Sequence, residues 1–263
     1  IIIPDMCSTE EEMKQSSSKN TASELALNVL KGTRVVFGDD SRIRVGLEDT
    51  NMLPFSPIGM LRGRLEGDPG YSSATAFMVG PDTAVTAAHN FYYIDGRYLK
   101  DITFTPGKNG YSAPFGMTSV EGFVYYPQQW ADSFDREYDW AVFKTSSDIG
   151  NSCGWLGFMK ATNLELENQL AVLSGYPTMY TKQDGYGEQW FTEDRILLAS
   201  DLQIYYQMDT SGGNSGSPLI RYIDDFYVVG INSREYPSGD PSFNAGARIN
   251  EDFYNMIAYY KTK

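Results

Sequence analysis

Residues 209–218 read Asp209-Thr210-Ser211-Gly212-Gly213-Asn214-Ser215-Gly216-Ser217-Pro218. Two glycines precede Ser215, one follows it, and an apolar run begins just beyond with Pro218-Leu219-Ile220. Glycine lets a backbone turn tightly and come close to a bound molecule. It also leaves successive N–H groups able to converge on one point, as an oxyanion requires. Ser215 is therefore a candidate nucleophile. A plain Gly/Ser-rich turn has the same composition, so the stretch needs partners elsewhere in the chain before it means anything.

Working outward, the only histidine is His89, in Val85-Thr86-Ala87-Ala88-His89-Asn90. A single histidine is as readily a surface or satisfied core residue. Here it follows an apolar run and small residues suited to a crowded cleft, and a serine hydrolase with a histidine base would have no other candidate. The third piece is Asp139, at the head of Asp139-Trp140-Ala141-Val142-Phe143-Lys144. An aspartate there commonly marks a strand boundary. Behind a histidine it would hold the tautomer and stabilise the imidazolium. Asp132 and Asp135 are rivals in a more polar stretch and rank below it.

The chain order His, Asp, Ser separates the fold classes. It is the order of the chymotrypsin type, whereas subtilisin runs Asp, His, Ser and the α/β-hydrolases Ser, Asp, His. The rest of the chain agrees with an all-β fold. Short apolar runs such as SSATAFMVG, DTAVTAAH, YLKDITFTP, DWAVFKT, QLAVLSGYP, IYYQMD, SPLIRYI and FYVVGINS are separated by Gly, Pro, Asn and Asp. Strands at this spacing predict a sandwich or barrels. One helix is predicted at the C-terminus. Asn250 is placed to cap it, Glu251 and Asp252 suit its first turn, and Phe253, Met256, Ile257 and Tyr260 make an apolar stripe. The first thirty-odd residues differ. Residues 8–20 are polar, and about 21–31 read as a short helix that Gly32 ends.

With these segments in place the sequence resembles the glutamyl endopeptidase family of secreted bacterial trypsin-like serine proteases. The matching pieces are VVFGDDSRIRV, DTAVTAAHN, YDWAVFKTSSDIGN, SGYP, and DTSGGNSGSP followed by VVGIN. They stand in family order from about residue 35 to the C-terminus. The resemblance implies a chymotrypsin-like double six-stranded β-barrel with the site in the cleft between barrels. It makes His89 the general base, Asp139 its orienting carboxylate, Ser215 the nucleophile, and the N–H groups of Gly213 and Ser215 the oxyanion hole. It also implies that residues 1–34 are a propeptide, cut between Arg34 and Val35 to leave a peptidase domain of residues 35–263. The freed amine of Val35 would then lie near the specificity pocket. The trypsin branch pairs such an amine with an aspartate before the serine, but here that residue is Asn214.

The sequence departs from the family in two places. Ala74 and Asn90 stand where many relatives carry a disulfide beside the histidine. Asn232 stands where glutamate-specific members have a histidine. Thr210 matches a pocket threonine of the family, Asn232 can still donate a hydrogen bond, and Arg234 is a nearby cation. Asp209 holds the position where trypsins keep the aspartate that selects Lys and Arg. Acidic specificity is expected on family grounds, with Lys/Arg specificity through Asp209 as the alternative.

Composition bounds the partners. The chain has 263 residues, 41 % of them hydrophobic, and a formal net charge of −13. That charge argues against nucleic acid or an anionic membrane surface, and no apolar run reaches the roughly 20 residues of a membrane-spanning helix. Protein or peptide substrates and an activating protease are the expected partners of a secreted monomer. The chain starts Ile1-Ile2-Ile3-Pro4, which fits removal of a signal peptide. Cys7 and Cys153 could form one bridge or stay free thiols. No cofactor or metal is expected, since one histidine and two cysteines make a poor zinc set. Asp39-Asp40 and Asp224-Asp225 read as solvated charge pairs before they read as calcium loops. The rival functional reading is a protease fold kept as a low-turnover binding or toxin-like protein.

Overall fold

The computed structural model describes residues 40–93, 95–178, 187–235 and 243–263, with only the backbone for Arg234 and Glu235. The expected propeptide with its helix, the Arg34–Val35 junction, Asp39 and Cys7 lie outside the described residues.

Two rings of six antiparallel strands make up the molecule. The first comprises β2 (Ile58–Leu65), β3 (Tyr71–Met78), β4 (Thr83–Thr86), β5 (Leu99–Pro106), β6 (Thr118–Tyr125) and β7 (Ala141–Thr145), closed in the order β2-β3-β4-β7-β6-β5. The second comprises β9 (Leu170–Gly175), β10 (Trp190–Ala199), β11 (Gln203–Tyr206), β12 (Pro218–Tyr222), β13 (Phe226–Glu235) and β14 (Asn244–Arg248). It closes through the pairs β9–β10, β10–β11, β11–β14, β14–β13, β13–β12 and β12–β9. Closure leaves a strand no bare edge, which suits barrels built from short strands. Two short strands are added outside the rings: β1 (Ile43–Arg44) on β10, and β8 (Gly157–Phe158), parallel to β13. The expected double barrel is the observed fold.

Three short helices, α1 (Gln128–Ser133), α2 (Gly150–Cys153) and α3 (Asn163–Leu166), punctuate the connections. The C-terminal helix α4 (Glu251–Lys261) starts where the sequence placed it, with Asn250 Oδ1 accepting the Phe253 N–H at 2.9 Å. Phe253 and Ile257 are fully buried, and Phe253 stacks on Trp140 with ring centres 4.2 Å apart. The chain leaves the second barrel through β14 and returns, as α4, to cover the first beside β7. One core cluster accordingly joins Val85 and Val142 of the first barrel to Ile220, Val228 and Ile231 of the second. Cys153 is a free, buried thiol whose pKa burial pushes up to about 12, so it is poorly suited to act as a thiolate.

Candidate active site

His89, Asp139 and Ser215 come from separate elements and line one cleft of about 370 Å3 where the barrels meet. His89 lies in the one-turn 3-10 helix Ala88–Asn90 after β4, and Asp139 ends the 3-10 turn Arg136–Tyr138, two residues before β7. β4 and β7 are paired in register, Thr86 opposite Ala141, so the sheet itself sets their ends side by side. Asp139 Oδ2 lies 2.6 Å from His89 Nδ1, and Oδ1 accepts the His89 backbone N–H at 2.9 Å. Ser233 of β13 donates its hydroxyl to Oδ2 at 2.8 Å from the other barrel. Asp139 is 2 % exposed, so these donors replace its water. The carboxylate holds Nδ1 as the donor tautomer and leaves Nε2 to face the cleft. Asp132 instead accepts Gln128 Nε2, and Asp135 caps the next turn through the Glu137 N–H.

The loop that carries Ser215 is held by the first barrel. Thr75 of β3 donates Oγ1 to Gly213 O at 2.8 Å and its N–H to Ser215 O at 3.0 Å. Asn90 donates Nδ2 to the same Ser215 O at 3.0 Å, so the residue standing where relatives carry a cysteine ties the loop by hydrogen bonding. Gly213 and Gly216 have φ of +92° and +84°. A Cβ at Gly213 would lie 2.2 Å from Tyr176 O, and one at Gly216 2.2 Å from Thr86 Oγ1, so glycine is required at both. The carbonyl of Gly212 accepts from Thr178 N at 2.6 Å and Thr178 Oγ1 at 2.9 Å. In a trans peptide the following N–H points the opposite way, so Thr178 turns the Gly213 N–H away from itself. Among the described residues nothing accepts from the N–H groups of Gly213 or Ser215, and the Ser215 hydroxyl has no hydrogen-bond partner.

The residues nominated for specificity divide. Asn232 lines the cleft, but its amide is engaged: Nδ2 donates to Asn214 O at 3.1 Å and Oδ1 accepts Tyr206 Oη at 2.5 Å. Asp209 and Thr210 are half-buried and do not line the cleft. Asp209 Oδ2 accepts both the N–H and the hydroxyl of Ser41, each at 2.6 Å. Arg34, Val35 and the side chain of Arg234 lie outside the described residues. Four contributors escaped the sequence reading. Ser233 follows Asn232 and could have been found as the polar partner of a buried carboxylate. Thr75 and Thr178 carry no sequence signal. The fourth is Arg42, 4 % exposed, which grips Asp40 with Nε and Nη2 and donates Nη1 to Ser211 Oγ, in the cleft wall, at 2.7 Å.

Two six-stranded barrels meeting at a cleft with a histidine–aspartate pair and a serine on a glycine loop define the chymotrypsin-like serine endopeptidases. Residues 62–257 match the trypsin family, and the chain belongs to that family. Its likenesses run to the glutamyl endopeptidases. The glutamyl endopeptidase of Bacillus licheniformis is 29 % identical over 263 residues, covering 95 % of this chain and 75 % of that one. The extracellular metalloprotease of Bacillus subtilis is 30 % identical over 225 residues, covering 86 % of this chain and 69 % of that one. A solved Glu endopeptidase superimposes with a TM-score of 0.75 at 27 % identity, covering 87 % of this chain and all of that one. The name of the subtilis relative speaks of a metal, but among the described residues the donor set does not fit one. The sole histidine is bound to Asp139 through Nδ1, and no three His, Cys, Asp or Glu converge among the described residues.

Proposed function

We propose that the protein is a secreted endopeptidase in which Ser215, His89 and Asp139 act as a triad, made as a zymogen and selective for acidic residues before the cut. The observation that carries the reading is the buried Asp139, bonded to His89 Nδ1 at 2.6 Å in the cleft that also presents Ser215. Ser215 Oγ attacks the peptide carbonyl carbon while His89 Nε2 takes its proton. The carbonyl oxygen becomes an oxyanion between the N–H groups of Gly213 and Ser215. Collapse of the adduct breaks the C–N bond, and His89 gives its proton to the leaving amine. Water, deprotonated by His89, then releases the acid and restores Ser215. Asp139 stays ionised, stabilising the imidazolium in both halves.

Acidic selectivity is supported by the charges around the cleft. Among the described residues the only carboxylate in its lining is Asp139, which His89 and Ser233 already engage. Asp209, the residue a Lys/Arg preference would need, is held by Ser41. Arg42 donates Nη1 to Ser211 Oγ from behind the wall, but Asp40 already matches its charge. The Ser41–Asp209 contact also bears on activation. It ties residue 41 to the pocket side of the second barrel, and six residues of extended chain span at most about 20 Å, so the Val35 amine would stay within reach of the pocket. The intact chain, the chain cut after Arg34, and a Ser215→Ala control should be given a mixed peptide library and the cut sites read by mass spectrometry. Cuts after Glu or Asp by the processed form alone are expected. Cuts after Lys or Arg would overturn the specificity, equal rates before and after processing would overturn the zymogen, and cutting by Ser215→Ala would overturn the triad.

A further inference from the structure

Among the described residues Arg136 is the single Lys or Arg lining the cleft, and nothing yet described uses it. It opens the 3-10 turn Arg136–Tyr138, three residues ahead of Asp139, and its side chain is exposed. Its backbone is fixed from across the junction, where buried Gln203 of β11 donates Nε2 to Arg136 O at 3.3 Å. Just before it Phe134 ends α1 with φ of +52°, unusual for a bulky residue, and packs edge-on against Trp130 at 5.5 Å. Such strain gathers at binding sites, and here it turns the chain so that Arg136 follows the aromatic wall of Tyr93, Trp130 and Phe134 beside His89.

Arg42, Arg44, Arg97, Lys100, Lys144 and Lys160 each pair with a carboxylate. Arg195, Arg221 and Arg248 donate instead to backbone carbonyls, whereas among the described residues the Arg136 side chain has neither kind of partner, although Asp132, Asp135 and Glu137 neighbour it in the chain. Asp132 is taken by Gln128, and Asp135 by the Glu137 N–H. In a protein with 34 acidic residues against 21 basic ones, leaving a guanidinium unpaired over a cleft keeps a place for an anion from outside.

We propose that Arg136 forms a second anionic subsite, which binds an acidic side chain on the residue immediately upstream of the one whose carbonyl is attacked. The placement follows from the proposed function, on which it rests. With the scissile carbonyl at Ser215, the residue that carries it is assigned to the second-barrel wall of Ser211, Gly212 and Asn232. The residue before it is placed on the first-barrel side, where Trp130 lies 6.3 Å from the His89 ring and Phe134 and Arg136 continue the wall. Substrates of this protein accordingly carry paired acidic residues, one for each side of His89.

The test uses two fluorescent decapeptides, both with Glu before the cut and differing only in Glu or Gln at the preceding position. Glu and Gln have the same shape, so contacts with the aromatic wall cancel. Binding is measured on the Ser215→Ala chain after cleavage following Arg34, so the result does not depend on turnover. An exposed ion pair predicts about three- to fivefold tighter binding of the Glu peptide at low salt. The ratio should fall toward one in Arg136→Gln, survive in part in Arg136→Lys, and shrink in about 0.5 M salt. A ratio of one in the parent, a ratio unchanged in Arg136→Gln, or no binding of either peptide overturns the subsite. Failure of the Ser215-containing chain to cut either peptide, with the binding ratio intact, would count against the proposed chemistry alone.

Discussion

His89 and Asp139 were readable because each is a chemically distinct residue at the end of an apolar run. The sequence reading named none of the donors around them, although Ser233, next to Asn232, was within its reach. Asp139 is satisfied by the His89 N–H and by Ser233, from a different barrel, and such long-range partners leave no local spacing to read. The same holds for Thr178, whose two bonds to Gly212 O aim the neighbouring Gly213 N–H. Removing a whole oxyanion donor costs about 10²–10³ in kcat. Thr178→Val removes one of the two bonds that aim it and keeps the side-chain shape, so kcat should fall about three- to tenfold with KM nearly unchanged. Steady-state kinetics on a peptide ester and a peptide amide would check this. A raised KM at constant kcat would instead make Thr178 a substrate contact.

Among elements, most strands recognised in the sequence carry apolar runs, such as β4, buried along its whole length, and β9, buried along most of it. Strands β2, β6, β10 and β14 are absent from those runs because charge or glycine interrupts them. β10 is the clearest case. It reads Trp190-Phe191-Thr192-Glu193-Asp194-Arg195, yet pairs with β9, β11 and β1. Glu193 sits opposite Val172, and its Oε2 is buried without a hydrogen bond. Burial, with a smaller contribution from Asp194, raises its pKa from 4.5 to about 7. Between those values the folded state keeps a proton that the unfolded chain has lost, so stability falls as pH rises through that window. Discounted for its partial exposure, the loss is about 1 kcal/mol. Glu193→Gln should therefore raise Tm by about 2–4 °C near pH 8 and leave it unchanged near pH 4. Thermal unfolding at both values tests this, and an equal gain at both would point to packing instead of charge.

For the molecule as a whole, the two barrels share no visible repeat, because a barrel needs only alternating inward side chains and closed pairing. Their duplication was implied by the family resemblance and is seen directly in the strand pairings. The order of His, Asp and Ser nevertheless carried the architecture. His89 and Asp139 belong to the first barrel, while Ser215 and Ser233 belong to the second. The site therefore exists only when the barrels are docked, and α4 with the shared core docks them. The specificity side was less legible. Asp209 is half-buried and bound to Ser41, whereas Arg42 and Arg136, which sit behind and in the cleft wall, gave no motif.

The central claim is that Ser215 is a nucleophile activated by His89. The direct measurement is reaction of the chain, cut after Arg34, with a fluorophosphonate, locating the adduct by peptide mass spectrometry. One adduct per chain on Ser215 is expected, with the labelling rate falling by at least about 10³-fold in His89→Ala. Labelling of another residue, or of Ser215 at an undiminished rate in His89→Ala, would contradict the account.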